Sequence, residues 1–176
     1  IELIIVDMNE ESSTFKEAIL SERETDTFKG ITFFEMTDTK EYVAAKNRML
    51  NNFHGDYITF ISSQDIMPPE RLELAIRELE DHRDKSVICT NYILQADNIL
   101  DISNYQISSH DFLYLSQLIF HKDSFRLIGG FDEHLVSHAD DELVLRLERT
   151  GQLMSYQSEE TAIKVAEGFY HQYTSV

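Results

Sequence analysis

Residues 55–70 restrict the fold of this chain more than any other stretch: Gly55-Asp56-Tyr57-Ile58-Thr59-Phe60-Ile61-Ser62-Ser63-Gln64-Asp65-Ile66-Met67-Pro68-Pro69-Glu70. Gly55-Asp56 closes off a preceding helix. Residues 57–61 form an almost wholly apolar, β-branched and aromatic run of strand length, the pattern of a strand buried on both faces. Residues 62–65 are a polar break at its carboxyl end. Pro68-Pro69-Glu70 then starts a new helix, with proline where no amide donor is needed and an acid in the first turn. In open α/β sheets ligands sit outside the carboxyl ends of the strands. A polar tetrad ending in Asp65 is therefore a candidate site, and it reads equally as a plain strand-to-helix turn.

The same alternation runs through the first half of the chain. Apolar strands are expected at residues 2–6, 31–34 and 86–90, with a short helix around Phe15, Ala18 and Ile19. Helices are expected at 41–53 and 70–82. In the first, Tyr42, Ala45, Met49 and Phe53 fall on one apolar face, with Lys46, Asn47 and Arg48 beside or across from it. In the second, Leu72, Ala75, Ile76 and Leu79 point inward and the charges outward. Helices separating buried strands imply right-handed crossovers, hence an α/β fold with a mostly parallel central sheet flanked by helices.

Residues 92–112 break that rhythm and read as irregular or hairpin structure. Beyond them the pattern predicts a strand at 115–120 and a short helix at 121–128, stopped by Gly129-Gly130-Phe131-Asp132. A helix at 140–150 follows, with Leu143, Leu147 and Val144 inward and Gly151 ending it. The last segments are a strand at 153–156 and a tail at 162–176, which combines a strand with the aromatic end Phe169-Tyr170-His171-Gln172-Tyr173.

A length of 176 residues suits one domain with a full core, and 42% hydrophobic with 27% charged residues is ordinary for a globular protein. The formal net charge of −17 argues against a nucleic-acid partner, because phosphate binding wants a basic face. No apolar run reaches the roughly 18–20 residues of a membrane span. Cys89 is the only cysteine, so there is neither a disulfide framework nor a cysteine metal cluster, and a reducing, cytosolic setting fits. Within Ser86-Val87-Ile88-Cys89-Thr90 it reads as a small buried hydrophobe.

Several segments, in order, resemble the family 2 glycosyltransferases of the GT-A fold. Ile1-Glu2-Leu3-Ile4-Ile5-Val6-Asp7 looks like that family's second strand and its terminal aspartate. Ala45-Lys46-Asn47-Arg48 followed by Gly55-Asp56-Tyr57-Ile58 is similar to the helix that leads into the metal-site strand. Ser62-Ser63-Gln64-Asp65 lies on the DxD loop, and Ile128-Gly129-Gly130-Phe131-Asp132-Glu133 matches the acceptor-side glycine turn. Asp140, with Leu143 and Arg146 after it, fits the acidic helix start.

The resemblance implies transfer of a sugar from a nucleotide-sugar, a UDP-sugar, to a glycan or cell-surface polymer acceptor in bacterial envelope polysaccharide synthesis. It implies that Asp7 accepts a hydrogen bond from the nucleotide base and that Lys46 sits near the diphosphate. Asp65 would bind Mn²⁺ or Mg²⁺, with His171 at the position of a late metal-side histidine. Asp140 would be the general base of a one-step, inverting reaction. The expected organisation is a single GT-A-like domain over 1–176, part of a longer protein, with a nucleotide-binding half at about 1–91 and an acceptor-side half at about 92–176. Its setting would be cytoplasmic, or peripheral at the inner face of the membrane.

Three departures from the family pattern stand out. The family's first strand is missing, Ser62 and Gln64 stand where the fuller metal loop has acids, and Ala139 replaces a glutamate before Asp140. Read without the family, Asp7 is a loop cap, Asp65 and Asp140 are helix N-terminal acids, Lys46 is a solvated helix lysine and His171 is a surface or aromatic-packed histidine. Two functions stay open: an active transferase, and a catalytically degenerate relative acting in binding or assembly.

Overall fold

The computed structural model describes residues 2–7, 30–35, 42–62, 65–95, 115–135, 137–156, 158, 161 and 163–166. The chain divides into two compact units, Ile1–Asp56 with Gly129–Leu143, and Tyr57–Ile128 with Val144–Val176. The helix expected around Phe15 and the aromatic end of the tail lie outside the described residues. No helix among the described residues is long and apolar enough to cross a membrane.

In the first unit, β1 (Glu2–Asp7) and β2 (Gly30–Glu35) pair in parallel, in register from Glu2 opposite Gly30 to Asp7 opposite Glu35. Helix α1 (Tyr42–Asn52) buries Val43, Ala45 and Lys46. The inward face is thus turned from the predicted one: Ala45 is buried as expected, Met49 and Phe53 are half-buried, and Tyr42 is 42% exposed. The helix turns this way because Lys46 has an acidic and aromatic partner set inside the unit, described below. The Glu2 carboxylate accepts the backbone N–H of His54 at 2.9 Å, and that bond holds its carboxyl below the usual range.

The second unit carries β3 (Tyr57–Thr59), β4 (Asp65–Ile66), α2 (Arg71–Asp81), β5 (Val87–Thr90) and β6 (Tyr92–Gln95). A 3-10 turn (Leu115–Gln117) leads into β7 (Leu118–His121), followed by α3 (Ser124–Ile128). Helix α4 (Ala139–Glu148) starts in the first unit and ends in the second, before β8 (Leu153–Tyr156) and β9 (Ile163–Ala166). The four-stranded sheet has the order β3-β7-β5-β8, and a smaller one has the order β4-β9-β6.

The α/β class is as expected, and the sheet is mixed where a mostly parallel one was predicted. β8 lies parallel to β5, but β7 runs antiparallel between β3 and β5. The apolar run Leu118-Ile119-Phe120 looks the same in either direction; the chain's route into it through the 3-10 turn sets its sense. Strand β3 stops at Thr59, two residues short of the prediction, since its pairing with β7 ends at Thr59 opposite Ile119. The Thr59 hydroxyl then donates to the Leu118 carbonyl at 2.8 Å. Phe60 turns edge-on to Phe120, and Ile61 is exposed. Asp65, the end of the expected polar break, and Ile66 after it pair with β9, and residues 92–95, expected as irregular or hairpin structure, form β6 parallel to β9.

The core of this unit joins Ala75 and Leu79 of α2 to Ile88 of β5 and Ile119 of β7, with Tyr57, Leu72, Ile76, Met154 and Tyr156 packed around them. The buried leucine and isoleucines each contribute about 1.5–3 kcal/mol, and Ala75 less. Cys89 is buried as predicted, and burial pushes its thiol up to about 12, which leaves it inert as a nucleophile.

One charge of α2 does not point outward. Arg71 is fully buried. Its Nε donates to Thr90 Oγ1 at 3.2 Å, Nη1 to Thr59 Oγ1 at 3.3 Å and to Met67 Sδ at 3.5 Å, and Nη2 to the Ser116 carbonyl at 2.7 Å. Thr90 Oγ1 donates a hydrogen bond to the Gln117 carbonyl at 3.2 Å, and Gln117 Nε2 donates back to the Thr90 carbonyl at 3.1 Å. Burial pushes the guanidinium down to about 10, opposed by Cys89 and Asp65, so it stays charged at neutral pH. A planar fork with five N–H groups can serve these divergent acceptors; an ammonium cannot reach them all. Arg71→Lys is therefore expected to destabilise the protein by about 2–4 kcal/mol, since buried acceptors are left unsatisfied. Urea unfolding followed by circular dichroism measures this, and a loss below about 1 kcal/mol would show the fork to be dispensable.

Candidate active site

In the first unit the candidate residues are set by two consecutive positions of α1. Lys46, 3% exposed, donates from Nζ to Asp140 Oδ1 at 2.5 Å. The same ammonium lies over the Tyr42 ring at 4.2 Å and the Phe131 ring at 5.1 Å, an arrangement in which the ring quadrupoles attract the cation. Asn47 holds the glycine turn: Nδ2 donates to the Phe131 carbonyl at 2.9 Å and to Glu133 Oε1 at 2.7 Å, and Oδ1 accepts the Phe131 N–H at 2.8 Å. Gly130 sits so close beneath it that a Cβ there would lie 2.4 Å from Asn47 Oδ1. Gly129, with φ of 74°, supplies the left-handed step after α3.

Asp140 opens α4 together with Asp141 and Glu142, where acids complement the positive end of the helix. His138, with φ of 62°, is the one described non-glycine residue in the left-handed region, and its carbonyl accepts the Glu142 N–H at 3.0 Å. Its Nδ1 lies 2.8 Å from Asp141 Oδ2.

In the second unit, Asp65 closes a tight turn. Its N–H donates to the Ser62 carbonyl at 3.1 Å, and its Oδ2 accepts the Ser62 N–H at 2.8 Å. Arg71 Nη1 takes both Thr59 and Met67, so one nitrogen gathers the two ends of the segment that carries Asp65.

Of the residues expected from sequence, Lys46 and Asp140 are brought together. The Lys46 ammonium is held by the Asp140 carboxylate. Asp7 is the last residue of β1, Asp65 belongs to the other unit, and His171 lies outside the described residues. No group of three or more His, Cys, Asp or Glu side chains that could hold a metal occurs among the described residues. Asp65 belongs to no such group among the described residues, and one of its oxygens already accepts the Ser62 amide. The described residues thus build no cage for a Mn²⁺ or Mg²⁺ ion, and fit only an ion that brings most of its ligands with it.

Sequence reasoning passed over Asn47 and Arg71, though each carries a signal. Asparagine is a poor helix former, so one inside a helix points to a tertiary hydrogen bond. An arginine in the first turn opposes the helix dipole and points to a partner elsewhere.

The mixed sheet with flanking helices is that of a GT-A-type fold. The sequence model of glycosyl transferase family 2 matches residues 1–139, and the chain belongs to that family. Solved structures with the same fold include S. aureus TarS, with a TM-score of 0.72, 13% identity, and coverage of 94% of this chain and 31% of that one. TarS 1–349 in complex with UDP-GlcNAc gives 0.74 and 15%, covering 99% and 52%, and TarS 1–349 in complex with UDP gives 0.71 and 14%, covering 94% and 51%. The chain thus spans between 31% and 52% of the length of these structures.

The contact between Asn47 and Gly130 can be tested directly. Gly130→Ala should cost about 1–3 kcal/mol through overpacking, and Asn47→Ala about 1–3 kcal/mol through the buried partners it leaves. Urea unfolding of the double variant should show clearly less than the sum, because the methyl clashes only while Asn47 is there. Simple additivity would show that the two positions do not constrain each other.

Proposed function

We propose that this domain transfers a sugar from a nucleotide-sugar, of the UDP type, to a hydroxyl of a glycan or polymer acceptor, with inversion at the anomeric carbon. The observation that carries the reading is the Asp140 carboxylate. It is 40% exposed at the start of α4 and held from behind by a buried ammonium, in a chain of glycosyl transferase family 2. TarS, a protein of the same fold, forms complexes with UDP and UDP-GlcNAc, which supports the choice of donor.

In this reading Asp140 takes the proton of the acceptor hydroxyl as that oxygen attacks the anomeric carbon. The bond to the diphosphate breaks with its electron pair leaving on the nucleotide. Asp7 accepts a hydrogen bond from the base. Asp65 is the described carboxylate that would hold a Mn²⁺ or Mg²⁺ ion arriving with the donor; such an ion neutralises the departing diphosphate.

A second reading is favoured by one specific observation. Asp65 has no acidic neighbour at Ser62, and its Oδ2 closes a turn. On that ground the domain is a catalytically degenerate relative that binds a nucleotide or glycan without turning it over.

Calorimetric titration of UDP with Mn²⁺, then with EDTA, together with UDP release from UDP-GlcNAc, separates the two. The enzyme reading expects metal-dependent UDP binding that weakens in Asp65→Ala. It also expects Asp140→Asn to lose about 10²- to 10⁴-fold in turnover, the usual worth of a general base, with UDP affinity kept. UDP binding without any turnover favours the degenerate domain, and turnover unchanged in Asp140→Asn would remove Asp140 from the chemistry.

A further inference from the structure

We infer that Lys46 is the positioning residue of Asp140: it fixes one carboxylate oxygen so that the rest of the carboxylate meets the acceptor hydroxyl in a single orientation. This rests on the reading of Asp140 as the base. It gives Lys46 a role other than contact with the donor diphosphate.

The two side chains differ sharply in exposure, 4% for Lys46 and 40% for Asp140. The ammonium is closed off, while the carboxylate it binds opens outward. A buried ion pair is weak evidence for stability, because well-packed apolar residues often serve the fold as well or better. Keeping a lysine inside α1 therefore calls for a reason beyond folding.

The surroundings of Lys46 supply that reason. Tyr42, one turn earlier on α1, and Phe131 both present ring faces to the ammonium. Phe131 is itself clamped through its backbone by Asn47, the next residue after Lys46. One turn of helix thus sets the lysine, the ring beside it and the carboxylate in front of it. The other acids nearby have different engagements: Asp141 faces His138, and Glu133 accepts from Asn47.

During transfer the proton of the acceptor hydroxyl passes to Asp140. The freed oxygen pair forms the bond to the anomeric carbon, and the pair of the breaking carbon–oxygen bond departs on the diphosphate. Asp140 ends as a carboxylic acid. Lys46 keeps its proton throughout and acts only through the carboxylate it holds. Misplacing a catalytic group by about 1 Å can cost on the order of 10²-fold in rate.

The test uses Lys46→Met, Lys46→Arg and Asp140→Asn in the intact protein, with circular dichroism to check folding. Two readouts are followed: UDP release at saturating UDP-GlcNAc, and the Kd of UDP by calorimetry. Lys46→Met should lower kcat by about tenfold or more while the Kd of UDP stays within about twofold, and Lys46→Arg should restore most of the loss. Lys46→Gln carries the same expectation should the methionine variant not fold. Weaker UDP binding with kcat unchanged, or neither quantity changed, would overturn the inference while loss of turnover in Asp140→Asn kept the base assignment standing. Turnover retained in Asp140→Asn would instead sink that assignment. A crystal structure of the Lys46 variant gives a readout independent of the donor: the Asp140 carboxylate should leave its present rotamer, and an unmoved carboxylate overturns the inference.

Discussion

A guanidinium buried away from water governs the second unit. Removing a charge from water costs several kcal/mol unless its donors find acceptors, and Arg71 places four of its five N–H groups on two threonine hydroxyls, a thioether and a carbonyl from four separate places in the chain. The same bonds join the start of α2 to β3, β5 and the turn that feeds β7. They therefore do two things at once. They anchor the turn that feeds β7, and they draw together the ends of the segment bearing Asp65.

The first unit solves a similar problem with a different cation. Lys46 has one carboxylate and two ring faces in place of a fan of hydrogen bonds. A single strong partner suits a compact ammonium, whereas divergent acceptors suit a planar fork. The difference matters for function, since Arg71 organises a scaffold and Lys46 faces a group at the surface. Asn47 completes the arrangement by gripping the glycine turn, which leaves room at Gly130 for nothing larger than hydrogen.

Membership of glycosyl transferase family 2 and the likeness to TarS agree with the ordered segments that sequence reading picked out. The loop at residues 62–65 is one place where the sequence departs from the family pattern, with Ser62 and Gln64 where acids are expected. With Ser62 donating its amide to Asp65, the loop is stabilised by a turn hydrogen bond, and the described residues add no second carboxylate to it.

Much of the fold was legible before any coordinates. The helices at 42–52, 71–81 and 139–148, the strand at 87–90 and the stop at Gly129-Gly130 all follow from short-range rules: side-chain period, proline and glycine geometry, and acids at helix starts. Asp140 is named as a candidate by the resemblance to family 2 glycosyltransferases, since its helix-start position alone reads as an ordinary N-terminal acid. The sense of β7, the early end of β3 and the partners of the buried cations could not be read this way. Lys46 and Asp140 stand 94 residues apart, and Arg71 and Ser116 stand 45 apart. A helical wheel sorts a lysine or an arginine to the water side, because it sees only polarity and local spacing. Whether such a charge can turn inward depends on acceptors that the folded chain brings from elsewhere, and that is what the tertiary structure alone decided.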